Sequence, residues 1–207
     1  MKALFVTFEG GDGSGKTTLI AALERRFKQR MSILSVREPG GTKLGETVRS
    51  VLLDQDLTLS NKAELALFLA ARIQHIEEVI RPSLSKYDLI LCDRFHDSSI
   101  AYQGAARGLG ESFVEKTCLL LTENFQPDLT IYLDISPQDA EMRLEQTKDR
   151  IEKEPRAFHE AIRKSYRRLA SCFPKRIHTI DASLPKEVVE NTAYLLLLQF
   201  IKERVDV

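Results

Sequence analysis

Gly10-Gly11-Asp12-Gly13-Ser14-Gly15-Lys16-Thr17 carries the first recognisable chemistry of this chain. The run fits the spacing G-x-x-x-x-G-K-[ST] at every fixed position. Glycines there let the backbone curl until several N–H groups face one anion. A helix opening at Lys16, with Thr18 in its first turn, adds the partial positive charge of its N-terminus. Lys16 then reaches the β- and γ-phosphates of a nucleotide, and Thr17 offers a hydroxyl to Mg²⁺. Such a loop needs a strand running in and a helix running out. Ala3–Phe8 (ALFVTF) is rich in β-formers, and Leu19, Ile20, Leu23 and Phe27 fall at helical spacing. A nucleotide loop alone leaves a kinase, an ATPase and a GTP-driven switch open.

Charged residues follow the next two strand candidates. Arg37-Glu38 comes after Ile33–Val36, and Asp93-Arg94 comes after Leu89–Cys92. Open α/β sheets bind ligands at the carboxyl ends of their strands. Asp93 is placed like the acidic residue of a second nucleotide-binding strand, where it would hold Mg²⁺ through water or support the loop. Arg37 and Arg94 are either surface partners of neighbouring carboxylates or cations of a cleft. Exposed pairs contribute only about 0–1 kcal/mol, so stability gives little reason to place arginines at both strand ends. An acceptor that is itself a phosphate needs such cations. An acceptor hydroxyl needs a carboxylate to take its proton, a role open to Glu38.

The remaining pattern supplies the frame. Helical spacing covers Leu44–Leu53 and Lys62–Leu84, with Ser60 as N-cap of the longer helix. A helix over Ser112–Asn124 leads to a strand at Leu129–Ile135, and Pro137 can open the next helix. Gln146–Pro155 is charged and interrupts the helical pattern, which resumes to Phe173. A strand at Arg176–Ile180 and a helix at Pro185–Lys202 close the chain. Strands alternating with helices predict one α/β domain over residues 1–207: a three-layer α/β/α nucleotide-binding fold with five mainly parallel strands and a short helical lid near 143–155.

Bulk composition excludes several classes. The 207 residues hold 30 basic and 30 acidic side chains, so no net field draws the surface to nucleic acid or to a membrane. No apolar run is long enough to span a bilayer, and the N-terminus goes straight into a strand, so the cytoplasm is the expected location. Cys92, Cys118 and Cys172 are far apart and near apolar runs, which predicts buried thiols rather than a disulfide or metal framework.

Several segments together resemble one family. Arg37-Glu38-Pro39-Gly40-Gly41-Thr42 with Gly45, Glu46 and Arg49; Phe68-Leu69-Ala70-Ala71-Arg72-Ile73-Gln74-His75; and Cys92-Asp93-Arg94-Phe95 continuing to Ala101-Tyr102-Gln103-Gly104 are similar to thymidylate kinases. Pro127–Thr130, Tyr132–Asp134 and Asp149–Glu152 extend the match in order from about residue 5 to 181. The resemblance implies transfer of the γ-phosphate of ATP to deoxythymidine monophosphate, with Mg²⁺, in a homodimer. It implies that Phe68 stacks on thymine and that Arg72 and Gln103 read its polar edge. Arg37, Arg49 and Arg94 would hold the monophosphate. Asp12 would meet the sugar 3′-hydroxyl, Tyr102 would crowd out a 2′-hydroxyl, and Ser98 and Ser99 would line the pocket. Read without the family, Phe68 is equally a core aromatic and Arg72 its neighbour one turn on. Tyr102 and Gln103 are equally helix-end residues, and His75 is a partly buried structural histidine.

In this family the transition-state arginine comes from the phosphate loop in some members and from the lid in others. Gly13 occupies the loop position, so the resemblance assigns the role to the lid. Its run from Met142 to Arg150 holds Arg143 and Arg150 at matching edges. Arg150 is expected as the main cation and Arg143 beside the ATP, although Arg143 can equally pair with Asp139 one turn back. The rivals are a deoxynucleoside kinase with Glu38 as base, an ATPase, and a GTP switch suggested by Asn61-Lys62-Ala63-Glu64, a near miss to a guanine-reading motif.

Overall fold

The computed structural model describes residues 2–144 and 149–205. Residues 145–148 of the expected lid lie outside the described residues. The elements run β1 (Leu4–Glu9), α1 (Lys16–Phe27), β2 (Ile33–Arg37), α2 (Lys43–Leu53) and α3 (Asn61–His75). A π-helical stretch, Ile76–Ile80, joins α3 to α4 (Arg81–Ser83). Then come β3 (Leu89–Asp93), α5 (His96–Ser99), a second π stretch (Ile100–Ala106), α6 (Glu111–Leu121) and β4 (Leu129–Asp134). The chain ends with α7 (Pro137–Glu141), α8 (Arg156–Cys172), β5 (Ile177–Asp181) and α9 (Lys186–Val205).

The sheet order is β2-β3-β1-β4-β5, and every pairing is parallel. Both faces of the central strands are covered, so β1 and β3 are buried along their length instead of alternating buried with exposed residues. Leu4, Val6, Phe8, Leu89 and Leu91 pack on α1 and α9 through Leu23, Phe27, Ala193 and Leu197. Phe5, Ile90 and Cys92 point to the other face, toward Ile76, Ile80 and Phe95. Tyr132 and Ile177 meet Ile162, Tyr166 and Leu169 of α8 on that same face. The N-caps follow from sequence. Thr42 accepts from Gly45, Ser60 from Ala63 and Ser136 from Asp139, each a hydroxyl satisfying a first-turn N–H.

The register sets the site. Phe8 and Arg37 both lie opposite Asp93, so the carboxyl ends of β1, β2 and β3 finish level. The glycine loop after β1 therefore meets Asp93-Arg94 and Arg37-Glu38 at one edge.

Three expectations need correction. Cys172 is exposed on the last residue of α8, whereas Cys92 and Cys118 are buried free thiols. His75 is fully rather than partly buried. The first strand runs one residue beyond the expected Ala3–Phe8: Glu9 is the last residue of β1, opposite Tyr132, with no solvent exposure. Among the described residues no helix is long and apolar enough to cross a membrane.

Candidate active site

Gly15 is the N-cap of α1 at φ 92°, with no side-chain cap and no acidic residue in the first turn. The amides of that turn are thus free to face an anion. Gly13 holds φ 77°, and a β-carbon there would come within 2.4 Å of the Ala140 carbonyl oxygen. No side chain, arginine included, fits at that loop position. The Lys16 ammonium donates to the carbonyls of Gly10 (3.0 Å) and Gly11 (2.9 Å). Burial, followed by the nearby Arg94, lowers its pKa from the usual lysine range.

Thr17 Oγ1 donates to Asp93 Oδ2 at 3.2 Å, and Asp93 Oδ1 is buried without a hydrogen-bond partner. A hydroxyl beside an unpartnered carboxylate oxygen suits Mg²⁺, which takes few protein ligands and keeps phosphate and water oxygens. Among the described residues no group of three or more His, Cys, Asp or Glu side chains forms a cation cage.

Arg94 sits at φ 70°, a left-handed conformation uncommon outside glycine. That turn aims its guanidinium back at the loop. It donates to Gly10 O at 3.0 Å, Ser98 Oγ at 3.3 Å and Asp12 Oδ1 at 2.5 Å. The Tyr102 hydroxyl donates to the other Asp12 oxygen at 3.2 Å. Burial would raise the Asp12 pKa, but the charges of Arg94 and Lys16 outweigh it and hold the carboxyl at about 2. Arg37 and Arg49 each donate to the Pro39 carbonyl at 3.2 Å, and Arg37 also grips Glu46 with a bidentate pair. Burial and the charge of Arg37 lower the Arg49 pKa.

Two cavities meet at these residues. The larger, about 570 Å³, is lined by Gly13–Thr18, Asp93, Arg143 and, at its far end, Ala182 and Leu184. The smaller is lined by Phe68, Arg72, Ser98, Ser99, Tyr102 and Gln103. Asp12, Glu38, Arg49 and Arg94 line both, and Arg37 lines the larger. Two guanidinium groups, those of Arg49 and Arg94, thus stand where the cavities join, with Arg37 beside them in the larger.

The inner end of the smaller cavity is rigidly held. Arg72, 2% exposed, donates Nε to Glu38 at 2.6 Å, one terminal nitrogen to Ser99 Oγ at 2.9 Å and the other to Phe95 O at 3.0 Å. The second Glu38 oxygen lies 3.2 Å from His75 Nδ1. Both oxygens of Glu38 are therefore engaged, which leaves it poorly placed to take a proton from an acceptor hydroxyl.

The two arginines expected in a lid part company. Arg143 lines the larger cavity. Arg150 does not: its Nε donates to Leu52 O at 2.9 Å and its terminal nitrogen to Glu64 at 2.6 Å.

Sequence reasoning missed Glu9 and Tyr166. Glu9 Oε1 accepts from Phe95 N at 2.7 Å, and Oε2 accepts from Ser98 Oγ at 2.6 Å and Tyr166 OH at 2.8 Å. This fixes the turn that carries Arg94. Burial and then the charge of Asp97 raise the Glu9 carboxyl to about 7. The available signal was a carboxylate closing an apolar strand just before the glycine loop.

Comparison with known proteins agrees with this geometry. The family model described as thymidylate kinase matches residues 8–193. Thymidylate kinase from Protochlamydia amoebophila is 42% identical over 98% of this chain and 94% of its own. That from Chlamydia trachomatis serovar D is 43% identical over 96% of this chain and all of its own. The crystal structure of thymidylate kinase from Ehrlichia chaffeensis superposes with a TM-score of 0.75 at 32% identity, covering 96% of this chain and 99% of that one. With loop, guanidinium cluster and adjoining pocket in one cleft, and with the match running nearly end to end, this chain belongs to the thymidylate kinase family.

Proposed function

We propose that the protein transfers the γ-phosphoryl group of ATP to the phosphate of dTMP, giving ADP and dTDP. The observation that carries this reading is the junction of the two cavities, whose shared wall is Asp12, Glu38, Arg49 and Arg94. A donor cradled by the loop and an acceptor in the smaller pocket would meet there phosphate to phosphate.

The acceptor phosphate has its second pKa near 6 and is already largely dianionic at neutral pH. No general base is required. One of its oxygens attacks the γ-phosphorus in line, a new P–O bond forms, and the bond to the bridging oxygen of ADP breaks. The protein contributes position and charge. Lys16 exchanges neutral carbonyl partners for the donor's phosphates, while Arg37, Arg49 and Arg94 hold the acceptor. Thr17 and Asp93 would hold magnesium, whose charge, when bound, offsets that of the donor's β- and γ-phosphates. Arg143 serves the ATP, and Arg150 adds its charge to the transfer on leaving Glu64. Phe68 stacks on the base, Arg72 and Gln103 read its edge, and Asp12 accepts from the 3′-hydroxyl with Tyr102 against the sugar.

The reading extends to lid, assembly and location. Residues 143–155 act as the lid. The exposed Phe113, Leu120 and Leu121 lie on one face of α6 and support a homodimer, which light scattering after gel filtration tests. Buried thiols at Cys92 and Cys118 suit the reducing cytoplasm. The central experiment is a panel of nucleoside monophosphates with ATP and Mg²⁺, read by diphosphate formation. Preference for dTMP is expected. Phosphate release indifferent to added monophosphate, or better turnover of thymidine, would overturn the assignment.

A further inference from the structure

Glu64 enters the transfer described above only as the resting partner of Arg150, yet its side chain is buried in the first turn of α3 at 1% exposure. One oxygen accepts from Gln103 Nε2 at 2.9 Å and from Arg107 Nε at 3.1 Å. The other accepts from Arg150 at 2.6 Å. Burial alone would raise its pKa, but the hydrogen bonds from Gln103, Arg150 and Arg107 outweigh that and lower it. An ionised carboxylate has no proton to give. Only the NH₂ end of the Gln103 amide can face it, so the amide carbonyl is turned to the opposite side.

Gln103 and Arg72 both line the smaller cavity. Arg72 has five N–H groups. Nε–H goes to Glu38, one terminal nitrogen serves Ser99 and Cys118, and the other serves Phe95 O. One N–H of that last nitrogen is left over. The pocket thus offers a donor from Arg72 and an acceptor from Gln103. A pyrimidine imide edge presents the complement, a carbonyl oxygen beside a ring N–H. A cytosine edge presents an amino group beside a bare ring nitrogen and mismatches both.

We infer that Glu64 is a positioning residue for base selection: by fixing the direction of the Gln103 amide, it commits the acceptor pocket to an imide edge and against an aminopyrimidine edge. This rests on the reading that Gln103 faces the base. Without the carboxylate the amide can turn over and offer its NH₂ to a cytosine ring nitrogen. Arg72, pinned by Glu38, remains a donor. Discrimination therefore relaxes at one contact of the two.

The test compares dTMP with dCMP on the full chain, by equilibrium binding and by kcat/KM, in the parent, Glu64→Gln, Glu64→Ala and Gln103→Ala. The preference for dTMP over dCMP is expected to fall about tenfold or more in Glu64→Ala, and by less in Glu64→Gln, which keeps one accepting oxygen. The double variant Glu64→Gln/Gln103→Ala should match Gln103→Ala alone, because the effect passes through that amide. The ratio is internal to each variant, so partial unfolding cancels. Glu64 variants that weaken both nucleotides by one factor, with the preference intact, would overturn the inference while Gln103→Ala lowers it. A parent-like preference in Gln103→Ala would instead remove the underlying reading of Gln103, and the inference with it.

Discussion

Replacing Glu38 by alanine tests the counter-charge of Arg72 beside the smaller cavity. Glu38 is 4% exposed, and its oxygens hold Arg72 at 2.6 Å and His75 at 3.2 Å. Removing it leaves a guanidinium in the core with no counter-charge. Breaking a buried pair this way costs about 3–5 kcal/mol. For a chain of this size each kcal/mol moves the unfolding midpoint by about 2–4 °C. The expected drop is therefore about 6–20 °C, read by circular dichroism at pH 7. Arg72 loses the contact that orients it, so KM for dTMP should rise more than kcat falls. Glu38→Gln keeps one accepting oxygen and should fall between the two. An unfolding midpoint within about 2 °C of the parent for Glu38→Ala would refute the structural role. A Glu38→Gln protein of parent stability with no turnover would restore the proton-acceptor reading.

Gly13→Ala places a methyl 2.4 Å from the Ala140 carbonyl at an unfavourable φ, so kcat/KM should fall about a hundredfold, measured under saturating dTMP. For Glu9, burial raises the folded pKa from the ordinary 4.5 to about 7, so the penalty on the folded state grows as pH rises through that window and remains in full above it. Glu9→Gln should gain stability relative to the parent over that window, on the order of 3 kcal/mol, in paired denaturant titrations at pH 5 and 8. A pH-independent difference would count against it. Arg150→Ala should lower kcat by at least about a hundredfold if its charge joins the transfer, and unchanged turnover removes it from the mechanism.

The phosphate loop and the alternation of elements were legible because each has a local cause. Glycine spacing, strand-forming runs and hydroxyl N-caps act within a few residues, and Ser60 capped α3 as its sequence implied. Residues 96–106 were legible only as a helix end at Tyr102 and Gln103. Their geometry passes from α5 into a π stretch, whose wider turn breaks the 3.6-residue spacing that sequence reading relies on. That same wider turn brings Ser98, Ser99, Tyr102 and Gln103 to one cavity. Gly104 permits it, since a β-carbon there would meet Glu111 Cα at 2.9 Å. Partner choice was the other gap. The sequence put arginines at strand ends, but that Arg150 would find Glu64, 86 residues away, depends on packing of α3 against the segment before α8.

Arg37 holds Glu46, Arg94 holds Asp12, and Lys16 rests on its own loop carbonyls. Each of these three cations already has company inside the molecule. Ligand capture through these groups would be an exchange of partners, not the quenching of bare charge. Such an exchange weakens long-range pull and blunts the response to added salt. It favours nucleotides, whose base and sugar add contacts of their own, over free inorganic anions that bring charge alone.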